Sequence, residues 1–147
     1  MAASLYDPAR RDEMLRRLAA LRFDRSPRWG RMTAPQMVTH LIEAYRMPSG
    51  ELHIAARSMP FKPLLRWLML YVMPFPKGAP TARELLARRP STWDADVEAL
   101  RACIAAVREP AAGERVGEHP IFGKMSARDW GVLLYKHTDH PFRQFGI

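Results

Sequence analysis

Apolar residues recur along this chain at intervals of three and four, with charged residues between them, and this spacing predicts helices. Met14, Leu15, Leu18 and Leu21 follow Asp7-Pro8, an N-cap with proline at the first helical position, so a helix is expected over residues 8–22. Ser26-Pro27-Arg28-Trp29-Gly30 breaks it. Thr33 and Gln36 form a capping box, with Met32 and Met37 placed as a hydrophobic staple. That second helix should run to Met47, before Pro48-Ser49-Gly50. Ser126 and Asp129, flanked by Met125 and Trp130, repeat the arrangement near the end of the chain. Gly30-Arg31-Met32-Thr33-Ala34 and Gly123-Lys124-Met125-Ser126-Ala127 are nearly the same five residues.

A looser region containing His53 leads to an apolar run, Phe61 to Met73, bounded by Pro60 and Pro74 and charged only at Lys62 and Arg66. The run is too short for a bilayer-spanning helix, which needs roughly 20 apolar residues. A buried helix, a partner-binding surface and an interfacial membrane segment all fit it. So dense an apolar run also suggests contact between two copies, a homodimer through Phe61 to Met73. Pro74 to Pro80 reads as an extended connection. Thr81 and Glu84 form a further capping box for a short helix. Ser91 and Asp94 start a longer one, ending near Arg108, with Trp93, Val97, Leu100, Cys103 or Ile104, and Val107 on its inner side. Residues 111–114 read as a loop. No segment alternates for long enough to predict a sheet. The expected fold is all-α: one domain over residues 1–147, with four main helices and an extra short apolar helix between the second and third.

Composition narrows the function classes. The chain is 48% hydrophobic and 26% charged, as a globular protein is. Its net charge of +8 suits nucleic acid, an anionic membrane or an anionic small molecule. The basic residues are mostly arginines within helical segments, with no basic tail and no RNP-type aromatic motif, so no specific nucleic-acid partner is expected. The single cysteine, Cys103, sits among Leu100, Ile104 and Val107 and reads as a core residue. No secretory leader pattern opens the sequence, and a cytoplasmic location is the expectation. No Ser-His-Asp order, phosphate-cradling glycine loop or HExxH motif appears, which argues against hydrolase, kinase and zinc-protease readings.

The histidines carry the candidate chemistry. Trp130, Leu133, His137, His140 and Gln144 fall on one face of the last helix. His40 lies seven residues past its N-cap and His137 eleven past the other, near two and three whole turns. Imidazoles on a core-facing stripe need a partner, either a hydrogen bond or a metal ion.

Three stretches together resemble a bacterial family of unknown function within the DinB-like superfamily. They are HPIFGKMSARDWGVLLYKHTDHPFRQFG (His119 to Gly146), WGRMTAPQMVTH (Trp29 to His40) and PFPKGAPTARELL (Pro74 to Leu86). The likeness spans about Trp29 to Gly146, and the last stretch is its specific part. It implies a four-helix bundle, often dimeric, that binds a divalent metal such as zinc or nickel through three histidines. One of these lies on the second helix and two lie four apart on the last. It also implies thiol-dependent transferase or isomerase chemistry in characterised members. His40 and His137 match two of the ligands.

The third ligand should stand at position 141, which is Pro141, and His140 is the histidine nearest to it. Three outcomes stay open. His140 replaces the missing ligand, since i and i+3 share a face. Asp139, His53, Glu43 or a water is recruited. Or the metal is lost and the histidines bond within the core. A proline four residues after His137 is expected to kink the helix. Glu43 is a candidate general base. Arg46 and Arg143 are candidate holders of an anionic thiol, or else surface ion-pair residues. Gln144 either orients a metal-bound water or caps the helix end. Two readings follow: a helical bundle with a degenerate metal site on His40 and His137, or a metal-dependent enzyme of the thiol-transferase kind.

Overall fold

The structure is a computed structural model describing residues 1–147, and its regular elements are all helices, with no β-strand. Helix α1 spans Pro8–Ala19, and the Asp7 carboxylate accepts the Ala9 N–H at 2.9 Å. Helix α2 spans Ala34–Ala44 and carries both halves of the Thr33–Gln36 capping box. Each ends about three residues before its apolar spacing does. Leu21 and Met47 remain buried, but their N–H groups reach back only three residues, to the carbonyls of Leu18 and Ala44. The last apolar residue of each stripe therefore sits on a tightened turn rather than on helix.

The apolar run becomes helix α3, Lys62–Trp67, and a π-helical turn, Leu68–Val72. Phe61 precedes it at φ 54°, a backbone region rarely taken by an aromatic residue. The turn's carbonyls do not end in solvent: the Lys136 ammonium donates to those of Met69, Leu70 and Met73. Of the whole run only Leu70 is fully buried, while Phe61, Leu64, Trp67, Val72 and Met73 are exposed. The run is thus not a buried helix; it lies on the surface with one side inward.

Two predicted capping boxes do not form. Residues Arg83–Leu86 make a 3-10 turn whose N-cap is Ala82, one position later than expected, so Thr81 and Glu84 are out of register with it. Helix α4, Trp93–Ala105, has Thr92 as N-cap without a side-chain bond. Ser91 instead donates from its N–H and its hydroxyl to the buried Asp96 carboxylate, at 2.7 and 2.8 Å. The helix also stops short of Arg108, where a turn from Val107 to the Ile104 carbonyl closes it.

Helix α5, Ala127–Gln144, starts on the complete Ser126–Asp129 box. Asp129 additionally accepts the Tyr71 hydroxyl at 2.7 Å, which ties the start of α5 to the π-turn. Burial pushes the Asp129 carboxyl up, but the bonds from Tyr71 and Ser126 hold it below the ordinary value. The helix continues through a buried Pro141 to Gln144, so the proline does not end it.

Helix α4 packs on α1 and α2, and α5 packs on both as well. Together they enclose a core of Met14, Leu18, Met37, Leu41, Ile104 and Phe142. Half-buried Cys103 lies against it, and burial raises its thiol pKa, as suits a packing residue. A second core gathers Met47, Leu70, Leu85, Phe122, Trp130 and Leu133, where the segments outside the long helices meet α5. Gly131 permits the chain start to cross α5: Leu5 N–H donates to the Gly131 carbonyl at 2.9 Å, and a Cβ there would strike Ser4 and Tyr6. No helix is long and apolar enough to cross a membrane.

Candidate functional site: a histidine pair on an apolar cavity

The two capping boxes set the phase of α2 and α5, and that phase aims His40 and His137 at each other. Their Nε2 atoms are 3.2 Å apart and their ring centroids 5.2 Å apart. His40 is 6% exposed. Burial lowers its pKa, opposed in part by the Leu85 backbone on the 3-10 turn. No atom meets hydrogen-bond geometry at His40 Nδ1, a buried polar atom without a partner. His137 is pushed down to about 3, first by burial and then by the neighbouring histidines 40, 119 and 140. Both rings are therefore neutral near pH 7, and only one Nε2 can carry the shared proton. Placing the His40 proton on Nδ1, toward Leu85, leaves its Nε2 lone pair facing His137.

The pair forms part of the wall of a cavity of about 400 Å³, whose other walls include Trp29, Met69, Phe75, Leu85, Phe122 and Leu133. The lining is mainly apolar with a few polar groups, the usual make-up of a small-molecule pocket. Arg31 lines the cavity, while Lys77, exposed and not part of the lining, places its ammonium 4.5 Å from the centroid of the Trp29 ring. A second cavity of about 340 Å³ shares Phe75 and His140 with the first.

His140 does not join the pair. It lines the same cavity, with its ring 5.7 Å from Trp29 and 6.1 Å from Phe75. The cause is helical phase: residue i+3 lies roughly 60° to one side of His137, and residue i+4 about 40° to the other. Pro141 occupies that second flank and also lines the cavity. No three His, Cys, Asp or Glu side chains stand together as a metal-ligating group.

His119 was not foreseen. It lines the cavity, and its Nδ1 accepts the N–H groups of Ile121 and Phe122, both at 3.2 Å. Its ring stacks on Phe122 at 4.5 Å, and burial lowers its pKa to about 4. His119 lies on no periodic stripe; its only trace in the sequence is its place at the head of the run that ends at Gly146.

The other candidates point elsewhere. Buried Glu43 is held by Arg46 at 2.9 Å and Arg88 at 3.4 Å, away from the cavity, so the general-base role fails on geometry. Asp139 pairs with Arg17 at 2.7 Å and Arg143 at 2.8 Å; Asp139 and Arg143 line the second cavity beside His140 and do not line the cavity of His40 and His137. His53 is exposed. Gln144 lines the cavity but donates to the Trp29 carbonyl at 2.7 Å, pinning the Trp29 wall to the end of α5. Gly30 permits that contact, for a Cβ there would stand 2.8 Å from the Gln144 amide nitrogen.

Two neutral imidazoles suit a divalent ion in part. In a tetrahedral zinc site with bonds of roughly 2.0–2.1 Å, neighbouring ligand atoms lie about 3.3–3.4 Å apart. The 3.2 Å between the two Nε2 atoms is close to that separation. Compared with known proteins, the chain matches no family model, no curated protein and no solved structure.

Proposed function

We propose that this chain is a DinB-like helical bundle that binds a small, largely apolar molecule in the histidine-walled cavity. In this reading His40 and His137 hold a divalent ion, zinc or nickel, as a two-imidazole remnant of a three-histidine site. The observation that carries it is the 3.2 Å approach of two neutral Nε2 atoms on the wall of a 400 Å³ cavity. A divalent ion with open positions lowers the pKa of a bound water or thiol, supplying a nucleophile near neutral pH. The protein's own contribution is to keep both rings unprotonated by burial and to bound the site with Trp29, Phe75 and Phe122. Dialysis of purified protein against zinc or nickel, followed by metal analysis, tests this. About one equivalent should be retained by the parent, and none by His40→Ala or His137→Ala. No metal above background in the parent would overturn the metal centre.

The more specific reading is a metal-dependent thiol transferase or isomerase. What favours it is the pairing of apolar walls with one lining cation, Arg31, and with exposed Lys77 over the Trp29 wall, as an apolar acceptor and an anionic thiol would require. Metal-loaded protein should consume a low-molecular-weight thiol in the presence of an apolar electrophile, and the histidine variants should not. Absence of turnover in the loaded parent would remove the enzyme reading and leave the binding one.

A further inference from the structure

The histidine site makes no use of the outer side of Phe61 to Met73. Phe61 is 80% exposed, Leu64 55%, Trp67 53% and Val72 55%. Large apolar side chains grouped in this way on a surface mark a contact site. The charge around them identifies the class of surface they meet. Residues 52–90 hold seven basic residues and one acid, Glu84; of these, Arg88 pairs with buried Glu43 and Lys77 lies over the Trp29 ring, while Lys62 and Arg66 stand within the apolar run itself. Contacts bring two further cations, Lys124 and Arg128, to the run. Arg57 donates its backbone N–H to the Pro120 carbonyl, the Lys62 side chain lies along Gly123, and Arg66 donates to the carbonyl of exposed Lys124. Arg128 lies 5.5 Å over the Tyr71 ring. Of the carboxylates here, Asp129 is buried and already engaged by Tyr71 and Arg66, and Glu118, exposed, lies two residues before Pro120.

We propose that this face docks on an anionic lipid surface, with Phe61, Leu64 and Trp67 entering the interface and Arg57, Lys62 and Lys124 meeting the headgroups. An aromatic and aliphatic edge rimmed by cations is the pattern of an interfacial segment. A second copy of the chain is a poorer occupant, because it would set one cationic surface against another. An acidic helical peptide would need a groove, whereas Phe61, Leu64 and Trp67 line neither of the two cavities and project outward.

Co-sedimentation of the full chain with vesicles tests this, using phosphatidylcholine alone and phosphatidylcholine mixed with phosphatidylglycerol. Binding should be confined to the mixed vesicles and fall at least about tenfold between low and high salt, as a headgroup contact does. Phe61→Ser with Trp67→Ser should abolish it, and Lys62→Gln with Lys124→Gln should weaken it severalfold. Helical content and melting should stay unchanged in both double variants, since the apolar side chains removed are exposed. Equal binding to both vesicles, or none to either, would overturn the proposal. So would a concentration-dependent dimer lost in Phe61→Ser/Trp67→Ser, or binding to polyglutamate, where the vesicles are not bound.

Discussion

At the scale of single residues, proton balance sets the behaviour of the site. His137 and His119 are held near 3 and 4 in the fold, against an ordinary 6.5. The unfolded chain therefore binds protons that the folded one excludes, and stability rises with pH between those values. Their neutral burial is fully tolerated above about pH 6.5 and becomes a penalty as the pH falls toward 4. The penalty reaches up to about 1.4 kcal/mol per pH unit for each histidine. Urea unfolding of the metal-free protein at a series of pH values should show this slope. His119→Asn, whose amide oxygen can still accept from Ile121 and Phe122, should lessen it. A flat profile from pH 7 to 4 would show that the rings are not buried neutral. His40 and His137 were legible in the sequence because each sits a near-whole number of turns past a capping box. His119 was not, because a loop delivers it and no period marks it.

At the scale of elements, local chemistry that repeats the helical register was readable, and chemistry that depends on exact starts was not. The Thr33 and Ser126 boxes are sound because each helix continues for three turns or more with a packed stripe behind it. Thr81 has the same sequence signature but precedes only one 3-10 turn, placed by the burial of Leu85. Ser126→Ala should thus cost about 1 kcal/mol, while Thr81→Ala stays within about 0.5 kcal/mol of the parent in urea midpoint. Equal losses would show that the two caps contribute alike. Pro141 is carried within α5, where its neighbours Thr138 and Phe142 are buried in the core. Packing on both sides holds the helix where the missing N–H would loosen it. Pro141→His should return that N–H and place an imidazole on the flank beside His137 that the proline ring now occupies. Zinc affinity, measured by competition with a chromogenic chelator, should rise at least about tenfold, or 1.4 kcal/mol. Unchanged affinity would mean that position 141 does not reach the pair.

At the scale of the whole molecule, the helical class and the long helices followed from periodicity, but the cavity did not. Its walls come from Trp29 before α2, Phe75 and Leu85 between α3 and α4, and Phe122 before α5. These are loop and short-turn residues whose meeting is a long-range property, with no signature in any local window. The Phe61 to Met73 run shows the same limit from the other side. Its apolar density was plain, but which side would face inward depended on Leu70 finding the second core and Lys136 closing the turn. Two cores, one between the long helices and one beneath the irregular segments, thus serve different ends. The first fixes α2 against α5, and the second shapes the space into which their histidines look.

The most direct measurement is a nitrogen-15 NMR spectrum of the imidazole rings, recorded as zinc is added to the metal-free protein. His40 and His137 should shift together at Nε2, saturating near one equivalent, while exposed His53 stays in place. Imidazole signals of residues 40 and 137 that remain unmoved, or that shift independently of one another, would contradict a shared centre.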